Sequence, residues 1–572
     1  MAAAADLLVT GRIATLAGAR GFGWVEALAV ADGVVVAAGS GSEVASLAGP
    51  GTRRLRLGRD RVVLPGITDA HLHLSEAALA ADRVDLAAAP TLEAGLALLA
   101  ERAARLDREA APDEWLVGHG WSPDRWGAWP TASTMDRAAG SRPAFAWAHD
   151  HHSAWADSAA LRIAGIDAET PDPPGGTIRR DAGGRPTGLL HERATALVLA
   201  RLPAPSPERL ERALLAYTAE LLALGVTGVH DPGGLGADPD LGGPFAVYRR
   251  LAAAGHLPVR VHASICAEAL ATAERRGLRS GDGLAAEELA GVGDDPRGRR
   301  LAGRFRVGWL KLFADGALGS RTAALLQPYE REPGREAPAV GPAGALLEEP
   351  GWFAETVAHA AAAGIATQIH GIGDRAVRVA LDALAPSVGR VALVPRVEHA
   401  QMVHSADAGR FAAGGIAASV QPIHLRSDRD AALAAWGDRA TRGYRLRSLD
   451  RPGTLLVFGT DAPVEPADPW PGIALAVTRR APEWGPHGES FAPDEALKLD
   501  RALRAACLDP VLSAGEGNVA GRLVPGCRAD LVVLPAAALD EPVRPGGALA
   551  AARPLLTLVD GEEAYRHPDL DA

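Results

Sequence analysis

A lysine stands inside an apolar, strand-like run of this chain, Gly308-Trp309-Leu310-Lys311-Leu312-Phe313-Ala314-Asp315-Gly316. Lysine is rare here, because only two of the 59 basic residues are lysines. Arginine stays protonated in proteins, whereas a buried lysine can lose its proton and react as an amine, for example with carbon dioxide to give a carbamate. We therefore expect Lys311 to do chemistry that a guanidinium cannot. The alternative is a chance lysine that snorkels from a strand end.

Runs of this kind recur along the chain and alternate with long segments of helical period, such as residues 207–224 and 352–363. This alternation indicates βα units around a parallel sheet. The eight candidate strands cover residues 61–69, 225–231, 259–265, 305–313, 364–370, 394–399, 415–421 and 454–461. Because their ends are polar, we predict an α/β fold built on a (β/α)8 TIM-type barrel, with the active site at the carboxyl ends of the strands.

Changes along the chain in composition and in the pattern of apolar residues predict the domain organisation. Residues 1–61 hold short β-type runs separated by glycines and form the N-terminal part of a β-sandwich. Residues 62–500 form the barrel, with an insertion at about 80–205 that covers its mouth, because the gap after the first strand is too long for one crossover helix. Residues 501–572 form a C-terminal helix and the remainder of the sandwich, which is thus a composite of both chain ends.

Composition and charge indicate which kinds of partner and which cellular compartment to expect. The formal charge of −11 and a pI near 5.9 argue against nucleic acid or an anionic membrane as a partner. The three cysteines are widely spaced and form no CxxC pair, which suits a reducing compartment. The N-terminus has no signal-peptide pattern, and no uncharged apolar run approaches the roughly 20 residues of a membrane span. We expect a cytoplasmic protein.

Histidines, one lysine and one aspartate stand at or near the ends of the predicted strands. The first two histidines form an HxH pair, and positions i and i+2 of a strand point the same way, so both imidazoles can reach one ion. Each of the other residues alone is explained as well by core packing or helix capping. Their convergence on barrel strand ends predicts a metal site. The set is His71, His73, Lys311, His370, His399 and Asp461.

These ligand types indicate a hydrolytic centre. Imidazole and carboxylate ligands suit Zn²⁺ or a similar divalent ion, and a bridging carboxylate holds two such ions about 3.5–4 Å apart. A metal pair lowers the pKa of a shared water towards about 7, so that hydroxide forms at neutral pH. An aspartate beside that water can take its proton and deliver it to a leaving nitrogen.

Several further segments resemble one known family. They are Gly120-Trp121-Ser122-Pro123-Asp124-Arg125-Trp126, Asp172-Pro173-Pro174-Gly175-Gly176, Gly184-Arg185-Pro186-Thr187-Gly188, residues 311–319, His370-Gly371-Ile372-Gly373-Asp374-Arg375-Ala376, Gln421-Pro422-Ile423-His424, Gly459-Thr460-Asp461 and residues 521–531. With the HxH pair they make the chain resemble the amidohydrolase superfamily, specifically the branch called amidohydrolase family 3, over nearly its whole length.

The resemblance implies a metal-dependent hydrolase of carbon–nitrogen bonds other than peptide bonds, acting on an amide or an N-substituted formamide. By position, the HxH pair matches the first-strand ligands, and Lys311 matches a carbamylated lysine that bridges two divalent metal ions, expected to be Zn²⁺. His370 and His399 match the later ligands, and Asp461 matches the final ligand and general base.

Four residues are candidate contacts for substrate. Trp121 and Arg125 lie in a tryptophan-rich part of the insertion, where the equal alternative is packing within a lid. His424 lies just past the seventh strand. His152 keeps its place in a motif of the family, but His151 stands where the family has a glycine. That glycine can adopt backbone angles that other residues avoid, so neither the shape of this loop nor the substrate of the relatives is expected to carry over directly.

Two alternatives to the bridged hydrolase remain open. A deaminase or cyclic-amide hydrolase of the same superfamily would use one metal and leave Lys311 unmodified. A non-catalytic assembly protein of the same fold would have lost ligands, whereas all six positions are filled here. The expected partner is a small amide-like molecule rather than nucleic acid or membrane, and a homodimer is expected only by analogy.

Overall fold

The computed structural model describes residues 4–18, 20–108, 114–148, 153–173, 176–192, 194–233, 238–290, 296–319, 321–330, 341–485, 489–541 and 547–570. The chain divides into two compact units. Unit 1 comprises Met1–Ala77 and Leu214–Ala572, and unit 2 comprises Ala78–Ala213.

Eight parallel strands form the centre of unit 1. In the order of their pairing they are β6 (Ile67–Asp69), β13 (Val226–Asp231), β14 (Arg260–Cys266), β15 (Phe305–Phe313), β16 (Thr367–Gly371), β17 (Arg396–His399), β18 (Ala417–Val420) and β19 (Leu456–Phe458). The first and last strands meet through a backbone hydrogen bond of 2.9 Å from Ala70 N to Phe458 O. This contact closes the sheet, and the predicted (β/α)8 barrel is confirmed.

The two chain ends build a second, eight-stranded sheet in unit 1. Its strands are β1 (Ala5–Ala14), β2 (Trp24–Ala31), β3 (Val34–Gly39), β4 (Ala48–Arg56), β5 (Arg61–Pro65), β20 (Leu531–Pro535), β21 (Leu556–Val559) and β22 (Glu562–Arg566). N-terminal β5 pairs antiparallel with C-terminal β20. Side chains from both ends, including Ile13, Val63 and Val533, share one buried apolar cluster. The prediction of a composite β-domain is therefore confirmed.

The first predicted strand, residues 61–69, is in fact two strands. β5 belongs to the terminal sheet and β6 to the barrel, with Gly66 between them. Gly66 N donates to Asp530 O at 3.0 Å, whereas Ile67 N donates to Gly225 O at 3.0 Å. A continuous apolar run concealed this change of sheet, because the residues on both sides of Gly66 are buried.

Unit 2 contains a six-stranded sheet of its own. Its strands are β7 (Val84–Asp85), β8 (Leu116–Trp121), β9 (Ala144–Ala148), β10 (Ser153–Ala156), β11 (Gly176–Arg180) and β12 (Pro186–Glu192). Buried aromatic and aliphatic side chains, among them Trp155, Leu99 and Met135, form its core. The predicted position of this insertion over the barrel mouth stays a prediction.

The helices lie mainly between the barrel strands. They are α1 (Gly41–Ala45), α2 (Leu74–Ala81), α3 (Leu92–Arg108), α4 (Pro123–Trp126), α5 (Ala132–Ala139), α6 (Ser158–Ala164), α7 (Thr195–Leu199), α8 (Pro207–Ala223), α9 (Pro244–Ala253), α10 (Leu270–Arg275), α11 (Ala286–Ala290), α12 (Pro296–Ala302), α13 (Pro350–Ala362), α14 (Asp374–Leu384), α15 (Arg410–Gly414), α16 (His424–Trp436), α17 (Leu446–Leu449), α18 (Pro469–Thr478), α19 (Leu499–Cys507), α20 (Asp509–Ser513) and α21 (Ala537–Asp540). Within the ranges given above, none of them is both long and apolar enough to span a membrane.

Candidate metal centre

Of the six residues expected to bind metal, five are buried and His370 is partly buried, and all lie at one end of the barrel. The nearest nitrogens of His71 and His73 each lie 3.4 Å from Asp461 Oδ1. The His399 ring lies 4.8 Å from the His71 ring and 4.5 Å from the His370 ring, measured between centroids. The structure thus brings together residues that are up to 390 positions apart in the sequence, because they follow strands of one closed sheet.

Backbone geometry at the site is unusual at two of these positions. His399 has φ 68° and Asp461 has φ 63°, a left-handed conformation that costs of order 1–3 kcal/mol for residues other than glycine. A hydrogen bond of 2.6 Å from Asp461 N to His71 O holds one of them. Gly459 permits this approach, since a Cβ there would lie 2.5 Å from His71 N. Such strain is typical of functional sites.

Each histidine uses one ring nitrogen to fix the direction of the other. His73 Nδ1 lies 2.6 Å from Gly233 O, and His370 Nε2 lies 3.1 Å from Gly316 O. His399 Nδ1 lies 2.8 Å from Gln421 Oε1. Because a carbonyl oxygen only accepts, these nitrogens carry the proton and the opposite nitrogens keep a lone pair. Outer hydrogen bonds of this kind are usual around metal-binding histidines.

The partner of His71 is a buried carboxylate that sequence reasoning missed. His71 Nδ1 donates to Glu398 Oε2 at 2.5 Å, and Glu398 Oε1 lies 2.5 Å from Arg396 Nε, with all three side chains fully buried. Burial would raise the pKa of Glu398, but Arg396 and His71 hold it far below its usual value. A signal was present, since two opposite charges stand two residues apart on one buried strand and so share a face of it.

Several nitrogen atoms at the site have no hydrogen-bond partner among the described residues. They include His71 Nε2 and Lys311 Nζ, both in fully enclosed positions. Burial, and then the charge of Lys311, lowers the pKa of His71 to about 4, and the same causes lower that of His370 to about 3. The imidazoles of His71 and His370 are therefore neutral at pH 7, as metal ligands must be. Neutral, buried and unpartnered nitrogens beside a carboxylate fit a divalent metal site.

Lys311 has the environment that carbamate formation needs. Its side chain is buried beside the ring of Phe313, and burial lowers its pKa to about 8. The uncharged amine is then a minor species at neutral pH but far more abundant than for an exposed lysine, and it is the form that reacts as a nucleophile.

Asp461 lies between two histidine groups. His71 and His73 contact Oδ1, while His424 Nε2 lies 3.4 Å from Oδ2. Burial alone would raise the pKa of Asp461, but the hydrogen bond from His424 and the nearby imidazoles hold it well below its usual value. The carboxylate is therefore ionised at neutral pH and available as a ligand or a proton acceptor.

A cavity of about 300 Å³ opens onto this centre. Lys311 and Asp461 lie at its base, and Phe313, Leu318, Ile372 and Val464 contribute apolar walls. His424, predicted to contact substrate, lines the same cavity.

The other predicted substrate contacts lie in unit 2 or outside the described ranges. The Trp121 ring is fully buried and its Nε1 donates to Ala146 O at 2.9 Å, so packing accounts for it, and a substrate contact would require the ring to leave the core. Arg125 is exposed and donates to Ala87 O. His152 lies outside the described residues.

Comparisons with known proteins agree with this geometry. The model of the Amidohydrolase family matches residues 59–565. The chain is 30% identical to YtcJ of Bacillus subtilis (strain 168) over 513 residues, which is 89% of this chain and 90% of that protein. It is 30% identical to N-substituted formamide deformylase of Arthrobacter pascens, covering 94% and 95% of the two chains. A crystal structure of an uncharacterized metal-dependent hydrolase from Pyrococcus furiosus superposes with a TM-score of 0.72 at 26% identity, covering 92% of this chain and 98% of that one. The chain belongs to the amidohydrolase family.

Proposed function

We propose that this protein is a metal-dependent hydrolase that cleaves a carbon–nitrogen bond other than a peptide bond, in an amide or N-substituted formamide. The observation that carries the proposal is the convergence of buried imidazoles, Lys311 and Asp461 at the base of one cavity. The relative named N-substituted formamide deformylase supports the substrate class, because it aligns over nearly the whole of both chains.

The donor set fits two divalent ions. His71 and His73 would hold one ion together with Asp461, and His370 and His399 would hold the other. Lys311 would bridge the ions as its carbamate. Nitrogen and oxygen ligands favour Zn²⁺. When bound, the ions supply Lewis-acid polarisation of the substrate carbonyl and activation of water at neutral pH.

Asp461 is the residue placed to move the proton. Its carboxylate is ionised and lies at the base of the cavity, so it can accept a proton from water and pass it to the leaving nitrogen. His424 contacts the second oxygen of the same carboxylate and holds its orientation. The apolar walls exclude water and thereby strengthen the charge interactions at the base.

Elemental analysis of protein grown with zinc and bicarbonate tests the metal part of the proposal. We expect about two ions per chain, as in bridged two-metal sites. A content near one would favour the mononuclear deaminase or cyclic-amide hydrolase, and a content near zero that added metal does not change would favour a non-catalytic protein.

A panel of N-formyl amines, N-acyl amines, cyclic ureides and lactones tests the reaction. We expect hydrolysis of the first two classes and a strongly reduced rate in Asp461→Asn. Hydrolysis of cyclic ureides alone would favour the cyclic-amide alternative, and hydrolysis of lactones alone would contradict the proposed bond type.

A further inference from the structure

We propose that Asp428 binds a positively charged group of the substrate, so that the enzyme acts on amides with an apolar body and a cationic end. The inference rests on the proposed function, since it names the substrate class of the same cavity. Asp428 lines that cavity together with His424.

The Asp428 carboxylate is held by hydrogen bonds to only one of its two oxygens among the described residues. Its Oδ2 accepts hydrogen bonds from Tyr444 Oη at 2.6 Å and from Gln401 Nε2 at 3.3 Å. Across the described part of the chain, Oδ1 accepts none and no arginine or lysine forms an ion pair with Asp428. Tyr444 and Gln401 are buried, so the carboxylate is oriented in advance, with an oxygen left over for a ligand.

The two nearby arginines are already paired elsewhere. Arg426 forms an ion pair with Glu483, and Arg429 donates to Asp430 at 2.9 Å while its guanidinium lies 4.9 Å from the centroid of the Trp484 ring. Neither neutralises Asp428, although both lie within two residues of it on α16. The negative charge of Asp428 is therefore available to a cationic group bound in the cavity.

Asp428 is close to the proposed general base. Gln401 Nε2 lies 3.3 Å from His424 Nδ1, and His424 Nε2 lies 3.4 Å from Asp461 Oδ2. One amide and one imidazole thus connect Asp428 with Asp461. A substrate whose scissile bond lies at Asp461 can therefore place its other end beside Asp428 within the same cavity.

The remaining walls oppose an anionic substrate. Apart from the proposed metal ions, the only lysine or arginine among the described lining residues is Lys311, which would be an anionic carbamate in the proposed function, and Glu76 adds a second carboxylate. A carboxylate on the substrate would have no cationic side chain to pair with and would be repelled by Asp428. Val464 and Phe313 are 68% and 37% exposed and offer apolar surface to the rest of the substrate. Amides of amino acids with free carboxylates are thereby disfavoured.

Three matched probes test the inference on zinc-loaded enzyme: N-formylbenzylamines that carry a hydrogen, a trimethylammonium group or a carboxylate at the para position. We expect kcat/KM to be highest for the cationic probe and lowest for the anionic one. Asp428→Asn keeps the shape and an acceptor for Tyr444, and should lower kcat/KM of the cationic probe about tenfold, the scale of one close charge–charge contact in a partly solvated cavity. The neutral probe should change less than about twofold.

Glu465→Gln is the matched control. Glu465 is an acidic neighbour that accepts from Ser427 and does not line the cavity, so its loss should leave the ratio of cationic to neutral probe unchanged. If the wild type hydrolyses all three probes equally, or if Asp428→Asn leaves the ratio unchanged, the inference is wrong while the proposed function stands.

A binding measurement separates the two proposals if no probe is hydrolysed. Benzyltrimethylammonium has no lone pair for a metal, and calorimetry should show about tenfold weaker binding to Asp428→Asn than to the wild type. Equal binding to both proteins, or binding to neither, would overturn the role of Asp428 independently of catalysis.

Discussion

Replacing Glu398 by glutamine should weaken metal binding without removing any residue proposed to touch the metal. Glu398 is fully buried and accepts from His71 Nδ1 at 2.5 Å. Glutamine keeps the length of the side chain and one neutral acceptor oxygen. The variant therefore removes the charge that makes His71 a stronger ligand, while the hydrogen-bonded geometry can persist.

The expected size follows from the charge on this hydrogen bond. Hydrogen bonds to charged groups contribute about 1.5–3 kcal/mol, against about 0.5–1.5 kcal/mol for neutral ones. The difference corresponds to roughly tenfold weaker metal binding, within the 10–100-fold range known for outer partners of metal-binding histidines. Competition between apo-protein and a chelator of known zinc affinity measures this change directly.

The same substitution leaves Arg396 without its carboxylate, and an unpaired buried charge can cost about 3–5 kcal/mol of stability. Here the loss is limited, because Gln368 Oε1 accepts from Arg396 Nη2 at 2.5 Å and the Trp309 ring lies 3.9 Å from the guanidinium carbon. The double variant Arg396→Met with Glu398→Gln removes both charges, so it should recover stability but not metal affinity.

Glu516→Gln provides a control outside the site. Glu516 is a mostly buried carboxylate that accepts two hydrogen bonds of 2.9 Å from Arg528. Its replacement should lower stability and leave zinc affinity unchanged. If Glu398→Gln binds zinc as tightly as the wild type, the role given to Glu398 is refuted.

Three further predictions concern the proposed bridge, the proposed base and the union of barrel and terminal sheet. Lys311→Arg should abolish hydrolysis and the bicarbonate-dependent uptake of the second metal, because a guanidinium forms no carbamate. Elemental analysis measures the metal content and rate assays measure the hydrolysis. Near-full activity would contradict a bridging role of Lys311. Asp461→Asn should lower kcat by about 10²–10⁴, the contribution of general acid–base catalysis, in a steady-state assay at equal metal content. Arg260→Met should lower the free energy of unfolding by about 3–5 kcal/mol in a denaturant titration, because it leaves the partly buried Asp530 without its cation, whereas Asp560 keeps Arg304; an unchanged midpoint would refute this.

The barrel was predictable because its signal is local. Apolar runs that end in polar residues mark parallel strands, and closure of the sheet then gathers those ends at one edge. The six proposed ligands followed from their positions, and the structure places them together, although metal binding itself stays a prediction. The break at Gly66 was not predictable, since the choice of sheet depends on partners that lie far away in the sequence, such as Gly225 and Asp530.

Two residues next to the proposed ligands, Asp428 and Gln421, were not predicted from the sequence, and the reasons differ. His424 and Asp428 are four residues apart on α16, a spacing that places both on one helix face, so the sequence did contain a sign that they act together. Gln421, by contrast, was not predictable as the partner of His399. A single amide at a strand end has many possible partners, and only the fold selects one of them.

The Arg396–Glu398 pair links the chemistry of the site to the stability of the barrel. Both side chains belong to β17, which also carries His399, and both lie fully buried beneath the cavity. Arg396 also lies 3.0 Å from His230 Nδ1 on β13, across the barrel interior. A substitution at Arg396 or Glu398 therefore has two effects. It alters the packing between the opposite strands β13 and β17, and it changes the charge next to His71. If a variant of Arg396 or Glu398 loses activity, its metal affinity and its free energy of unfolding must therefore both be measured. Weaker metal binding alone, or lower stability alone, can cause the loss of activity.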